Sequence, residues 1–453
     1  MITLSKKQSS VVMIFLLCCF ILAPAFSSGL AEEETESDWD VKQPQGEMKT
    51  ILIDTTESTW SNLSVSGDGL TLAFDMLGDI YTIPIAGGEA TPLVQGFDWN
   101  MQPSYSPDGK SIAFISDRDG ASNLWTMDAS GSNPRQISTE TTALIHTPSW
   151  SPDGDYIAVT KGFMSSRSIP AGEIWMYHRS GGDGVMVTSR AHGPHTQKNM
   201  TDPAFSPDGK YLYYTDDVTQ GRIWEYGKNS TTELFNIMRH DLETGESSSY
   251  IGGAGGAIVP TPSPDGKSMA YLKREDTKTV LYLKDLKSGI DRRLSTDMER
   301  DHQETFGSEG NFAYFDWTPD GQHLIYWTRG KFHKLNVENL DVSVIPMHIK
   351  TEKQVQQSVR YAVDVAPDTF EVKMIRWASM SPTGDSVVYQ ALGKLYLRDM
   401  KSGRVKRLTR QNDHDEFYPS FSRDGKSIAY TTWNDKDLGA IRVVSARGGQ
   451  GLT

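Results

Sequence analysis

A four-residue corner of the Ser-Pro-Asp-Gly type recurs along the chain and constrains its fold more than any other feature. In such a corner, Pro sets φ near about −65°, Asp bonds its local backbone, and Gly accepts a positive φ. Successive corners begin 40, 45, 55, 57, 55, 63 and 41 residues apart. They occupy residues 66–69, 106–109, 151–154, 206–209, 263–266, 318–321, 381–384 and 422–425.

The segments around each corner have the pattern of short antiparallel strands. Residues 111–115 and 427–431 alternate with period 2, and residues 124–127 form a following strand that carries Trp125. Each repeat therefore predicts four strands, and one such sheet cannot bury both of its faces alone. We predict an all-β β-propeller of seven to eight four-stranded blades, in which most aromatic side chains fill the space between blades.

The two ends of the repeat region bear on ring closure. Residues 49–57 alternate like a strand, and they either supply the outer strand of the last blade or form a simple leading strand. Residues 447–453 end where a fourth strand is expected. The eight units predict either eight blades or seven closed blades plus part of another, with a propeller over residues 49–453 that is cut short at its C-terminus.

The N-terminal segment has the features of a signal peptide. Lys6 and Lys7 precede an apolar run at residues 11–22, and small residues up to Ala31 fit a cleavage site. We predict a signal peptide at residues 1–31, an acidic lead at 32–48, and a periplasmic or secreted protein with no membrane span after cleavage. Cleavage after Ala25 and an uncleaved anchor are the alternatives.

Cysteine and charge exclude several classes of protein. Cys18 and Cys19, the two cysteines of the chain, lie inside the apolar run, so the mature part has neither a disulfide nor a thiolate nucleophile. The net charge is −13 with no offsetting basic cluster, which argues against a nucleic-acid partner. Gly-x-Ser-x-Gly and His-Glu-x-x-His are absent from the sequence. We therefore assign no catalytic residue.

The densest polar cluster of the sequence is Asp413-His414-Asp415-Glu416, which leads into the first strand of the last repeat. Carboxylates beside an imidazole can bind a divalent metal or raise the imidazole pKa, so His414, Asp415 and Glu416 are candidates for one channel mouth. A solvated acidic loop is the alternative, and no other cofactor is expected.

Further candidates occupy comparable places in other repeats. His302 and Glu304 echo the last cluster, and His146 enters the third repeat. Arg376 precedes the seventh corner, where it either binds an anionic group or stacks structurally.

The corners, the IWxMD-like strand and the GGxxxxLT-like strand resemble the TolB-like propeller repeats. Longer stretches, at residues 39–69, 75–90, 172–182, 389–400 and 413–449, resemble the N-terminal part of large exported proteins that join such a propeller to a C-terminal amidohydrolase domain. The resemblance implies a propeller scaffold for substrate or partner binding and access control. It also implies a protein partner or a C-terminal hydrolase domain.

The hallmark of that metal-dependent domain, a His-x-His pair, is absent from this sequence. The resemblance therefore implies a hydrolase context with the catalytic domain outside the chain. Two alternatives stay open: a stand-alone TolB-like protein-binding module of the cell envelope, and a propeller enzyme with a His/carboxylate metal site.

Overall fold

The computed structural model describes residues 40–165, 170–190, 193, 195–223, 232–295, 298–299, 314–357 and 363–453. This part of the chain folds into strands and turns, with no helix. Nothing in it is a helix long and apolar enough to cross a lipid bilayer. The predicted signal peptide lies outside the described residues.

Eight blade-like sheets follow one another along the chain, and every strand in them pairs antiparallel with its neighbour. Blade one comprises β2 (Leu63–Val65), β3 (Thr71–Met76), β4 (Asp79–Pro84) and β6 (Thr91–Val94). Blade two comprises β7 (Asn100–Tyr105), β8 (Ser111–Ser116), β9 (Asn123–Asp128) and β10 (Arg135–Gln136). Blade three comprises β11 (Leu144–Trp150), β12 (Tyr156–Met164), β13 (Pro170–His178) and β14 (Val185–Thr188). Blade four comprises β15 (Met200–Phe205), β16 (Tyr211–Asp217), β17 (Phe235–Asp241) and β18 (Ser247–Ile251).

The remaining four blades repeat the plan, and the last has three strands. Blade five comprises β19 (Ile258–Pro262), β20 (Ser268–Glu275), β21 (Lys278–Asp285) and β22 (Asp291–Ser295). Blade six comprises β23 (Asp316–Trp317), β24 (His323–Thr328), β25 (Lys331–Asn336) and β26 (Val342–Ile345). Blade seven comprises β28 (Arg376–Met380), β29 (Ser386–Ala391), β30 (Lys394–Asp399) and β31 (Val405–Arg407). Blade eight comprises β32 (Asp415–Phe421), β33 (Ser427–Asn434) and β34 (Leu438–Ser445). The predicted fold class is confirmed.

Six of the eight blades close on one another. Alternating apolar residues of each blade pack against the next blade, as when Ala113 of blade two meets Val159 of blade three. The cluster that closes the circle joins Phe74 of blade one to Ile325 and Phe332 of blade six. Blades one to six, which we call the ring, therefore form a six-bladed closed propeller.

Blades seven and eight pack on each other beyond the ring. Val388 and Leu395 of blade seven bury against Ile428 and Tyr430 of blade eight. That core cluster contains no ring residue among those the structure describes. The free face of blade eight leaves Ile441 exposed, although residues in interior strands of the ring are buried.

A two-stranded ribbon seals the junction of blades one and six. β1 (Met48–Thr55) pairs antiparallel with β27 (Met347–Gln356), which follows blade six directly. β27 also pairs with β5 (Gly88–Glu89), in the turn between β4 and β6 of blade one. The predicted strand at residues 49–57 exists. It does not join the last blade, and it is not a simple leading strand, because its partner is β27. We call β1 and β27 the clasp ribbon.

Candidate functional site

One residue in each of four inner strands bulges toward the axis of the ring. Gln102, Thr147, Asp202 and Val259 have φ of 54° to 58°, and the strand register shifts at each of them. A proline follows each of these residues. Since proline has no N–H to offer the ladder, the bulge sacrifices no strand hydrogen bond there.

The bulges allow hydrogen bonds to pass from blade to blade. The Gln102 amide of blade two donates to Asp75 Oδ2 of blade one at 2.7 Å, and the Thr147 amide of blade three donates to Gln102 Oε1 at 2.7 Å. The Val259 amide of blade five donates to Thr215 Oγ1 of blade four at 3.1 Å. A polar belt thus surrounds the channel.

Tyr314 joins this belt from blade six. It stands just before β23, two residues before Asp316, and its hydroxyl donates to Asp202 Oδ1 at 2.7 Å. The tyrosine therefore reaches from blade six to blade four. Asp316 completes the belt, since its Oδ2 accepts the Val65 amide of blade one at 2.8 Å.

Burial sets the electrostatics of the belt. It raises the pKa values of Asp75, Asp202 and Asp316 to about 6, although their hydrogen bonds act in the opposite direction. Burial and the Asp202 charge raise the pKa of Tyr314 well above its usual value. At neutral pH the three carboxylates are therefore charged acceptors whose donors are already in place.

Between the belt and the corners lies a cavity of about 240 Å³ with residues of all six ring blades in its wall. Tyr314 and the four bulge residues are part of its lining, and we call it the channel cavity. Proline and aromatic side chains supply much of the wall, with hydroxyl groups between them. These are Pro103, Pro148, Pro203, Pro260, Trp150, Phe205, Phe315, Ser104, Ser149 and Thr261. Such a lining suits a ligand with apolar side chains and a few polar groups.

His146 is the sequence candidate nearest to this cavity. It precedes Thr147 in β11 and is half-buried, yet both ring nitrogens are shielded from solvent and have no hydrogen-bond partner. Burial lowers its pKa to about 4. The imidazole is therefore neutral at physiological pH.

The structure brings together two of the three candidates of the last blade, His414 and Glu416. His414 is buried, with Nδ1 2.9 Å from Asp413 Oδ1 and Nε2 3.7 Å from Glu416 Oε1. Glu416 is also buried and accepts the Leu395 amide through Oε2 at 2.8 Å. Asp415 is exposed and lies 3.7 Å from Lys394 instead. Across the described ranges, no group of three or more His, Cys, Asp or Glu side chains is arranged to hold a metal ion.

Of the remaining candidates, the structure describes Arg376 alone. Arg376 is exposed in blade seven, with its guanidinium 5.9 Å from the centre of the Trp377 ring. Blades seven and eight contribute no residue to the channel cavity. His302 and Glu304 lie outside the described residues.

Comparison with known proteins agrees with the propeller fold. Residues 58–180 match the family model of the TolB beta propeller domain. The chain contains a TolB-like β-propeller.

Two curated relatives of this TolB-like chain are peptidases by name. The uncharacterized peptidase YuxL of Bacillus subtilis (strain 168) is 31% identical over 29% of this chain and 24% of its own length. Dipeptidyl-peptidase 5 of Porphyromonas gingivalis is 24% identical over 78% of this chain and 54% of its own length. The chain thus spans about a quarter of the first relative and about half of the second.

Among solved structures, TolB from Acinetobacter baumannii superposes with a TM-score of 0.47. It is 18% identical and covers 66% of each chain.

Sequence reasoning missed the belt and the channel cavity. A proline near the end of the first strand of a blade could have indicated them. In Gln102-Pro103 and Asp202-Pro203, the proline lies two residues before the end of the strand and follows the bulge residue. Tyr314 and Asp316 belong to blade six, where no proline marks the place.

Proposed function

We propose that this chain is the non-catalytic binding module of an exported hydrolase system, and that the channel cavity holds an extended peptide segment. One observation carries the proposal: all six ring blades contribute residues to one cavity, and the hydrogen bond from Tyr314 of blade six to Asp202 of blade four lies in its wall. A cavity to which every ring blade contributes can contact a ligand from several sides.

The chemistry of the lining supports a peptide ligand. Trp150 and Phe205 offer flat apolar surfaces, while Ser104 and Ser149 can pair with the polar groups of a peptide backbone. The belt carboxylates are already hydrogen-bonded to other ring residues, so they hold the belt in place.

A cavity-filling variant tests the proposal. Ser149→Trp places a large side chain in the cavity wall, and we expect peptides selected on the wild-type chain from a displayed random library to lose at least about tenfold in affinity. Ser130→Trp, in an exposed turn of blade two, is the matched control and should leave affinity unchanged. Equal binding to both variants, or a library without enrichment, contradicts the proposal.

The hydrolase context is a separate part of the proposal. The resemblance implies a metal-dependent amidohydrolase domain, whereas the named relatives are peptidases. If the full protein hydrolyses a substrate, loss of activity on chelation supports the amidohydrolase assignment. Inactivation by a serine-directed phosphonate, without an effect of chelation, supports a peptidase domain instead.

A further inference from the structure

A cavity larger than the channel cavity lies between blades two and three. It is a groove of about 690 Å³ at the corner end of these blades, and we call it the blade 2–3 groove. Trp150 and Pro152 line both this groove and the channel cavity, so the two cavities are adjacent.

Cationic and polar side chains distinguish this groove. Arg135, His178 and Arg179 line it together with the hydroxyl groups of Thr126 and Ser180. Arg179 pairs with Asp155 at 3.6 Å, but both side chains are more than half exposed, so water competes strongly with that contact. The groove therefore presents two guanidinium groups on a chain whose net charge is −13.

The groove between blades five and six, which we call the blade 5–6 groove, can be compared with the blade 2–3 groove. Arg292 lies opposite Leu283 in blade five, as Arg135 lies opposite Thr126 in blade two. Both arginines donate to backbone carbonyls of the following blade, Arg292 to Val337 and Arg135 to Arg179. The structural role that these two arginines share is therefore to hydrogen-bond the backbone of the following blade.

The blade 5–6 groove lacks the additional polar groups. Leu283 and Val337 occupy the places of Thr126 and Arg179, and the groove measures about 330 Å³. Both grooves contain two corner aspartates, Asp108 and Asp153 in one and Asp265 and Asp320 in the other, and one oxygen of each accepts a hydrogen bond from the corner Ser or Thr. The second guanidinium and the doubled volume are what the blade 2–3 groove adds.

From this difference we infer that the blade 2–3 groove is an anion subsite, in which Arg135 and Arg179 bind a carboxylate of the segment held in the channel cavity. Guanidinium groups pair with carboxylates through two parallel N–H donors, which favours them over a neutral amide. The inference rests on the proposed function. It specifies the ligand as a peptide with an acidic side chain or a free C-terminal carboxylate beside its cavity-bound part.

The test uses peptides selected on the wild-type chain and then synthesised in matched forms. Each is made with Asp or Glu changed to Asn or Gln, and with either a free or an amidated C-terminus. We expect one of these neutralisations to weaken binding about tenfold or more, and to reduce its salt dependence. Which form loses affinity tells whether the carboxylate is a side chain or a terminus.

Variants of the protein complete the test. Arg135→Ala combined with Arg179→Ala should weaken the carboxylate peptides about tenfold or more and leave the neutralised peptides unaffected. Arg292→Ala removes the same edge contact in the blade 5–6 groove. It should not change the affinity for either the carboxylate peptides or the neutralised peptides. A similar loss for Arg292→Ala, or tight binding of neutral peptides to the wild type, overturns the inference.

The outcomes also separate this inference from the proposed function. Loss of binding with Ser149→Trp but not with the double arginine variant overturns the carboxylate subsite and leaves the cavity proposal standing. The absence of any peptide that depends on the cavity overturns both.

Discussion

At the scale of single residues, the belt shows where local preference yields to tertiary contacts. A residue before proline ordinarily favours extended backbone, yet Thr147 and Asp202 adopt a positive φ at a cost of about 1–2 kcal/mol each. The amide of Thr147 gains a partner in the preceding blade, at Gln102. The corner glycines were predictable because the turn itself requires a positive φ, whereas the belt depends on the neighbouring blade.

His146 is a polar residue whose side-chain nitrogens have no polar partner. Its equivalent in blade two is Met101, which also precedes the bulge residue. Since both imidazole nitrogens of His146 are shielded and unpartnered, we expect His146→Met to increase the free energy of unfolding by about 1 kcal/mol at pH 7. Urea denaturation measures this change, with the exposed His178→Met as the control.

The same variant should change the response to acid. The pKa of His146 is lowered to about 4 in the folded chain from an unfolded value of 6.5, so protonation favours unfolding as pH falls between those values. Wild type should therefore lose up to about 3 kcal/mol more than His146→Met over this range. The belt carboxylates act in the opposite direction, but they are common to both proteins. Parallel pH profiles for the two would contradict the assignment.

At the scale of elements, the clasp ribbon was half predictable. The alternation in residues 49–57 indicated a strand, but an alternating pattern carries no information about which strand it will pair with. The partner is fixed by side chains that are distant in sequence. Asp54 meets His348 at 2.8 Å, and Lys353 of β27 reaches the buried Asp79 of blade one at 2.7 Å.

The Lys353–Asp79 pair should account for much of the stability of this junction. Asp79 is fully buried and Lys353 is largely buried, so Lys353→Ala leaves a carboxylate without its cation and should destabilise the chain by about 2 kcal/mol. Lys350→Ala, an exposed position on the same strand, should change stability by less than about 0.5 kcal/mol. Thermal unfolding of the two variants decides between them, and equal effects would mean that the pair contributes nothing specific.

At the scale of the whole molecule, the sequence predicted the repeats but not the size of the ring. Every blade has the same apolar periodicity, so nothing local tells whether blade one packs on blade six or on blade eight. The longest spacing between corners, 63 residues, falls between blades six and seven and contains β27. The regular corners do not reveal this break, although the candidate site depends on it.

Closure within residues 40–357 predicts that the ring is a folding unit. We expect a chain of these residues to unfold cooperatively, with a midpoint within a few degrees of the ring transition in the longer chain, because every interface between ring blades is retained. Scanning calorimetry of both chains measures the midpoints. A shortened chain without a cooperative transition would show that blades seven and eight are needed for the ring to fold.

The clasp ribbon also determines how the ring responds to a pulling force. Met48 lies opposite Gln356 in the antiparallel register, so the chain enters and leaves the ribbon at the same end. Tension applied through residues 47 and 357 would load its hydrogen bonds one pair at a time, as in a zipper, rather than all together in shear. The ribbon should therefore peel at low force up to Thr55 and Ile349, after which the load passes to the packed junction of blades one and six.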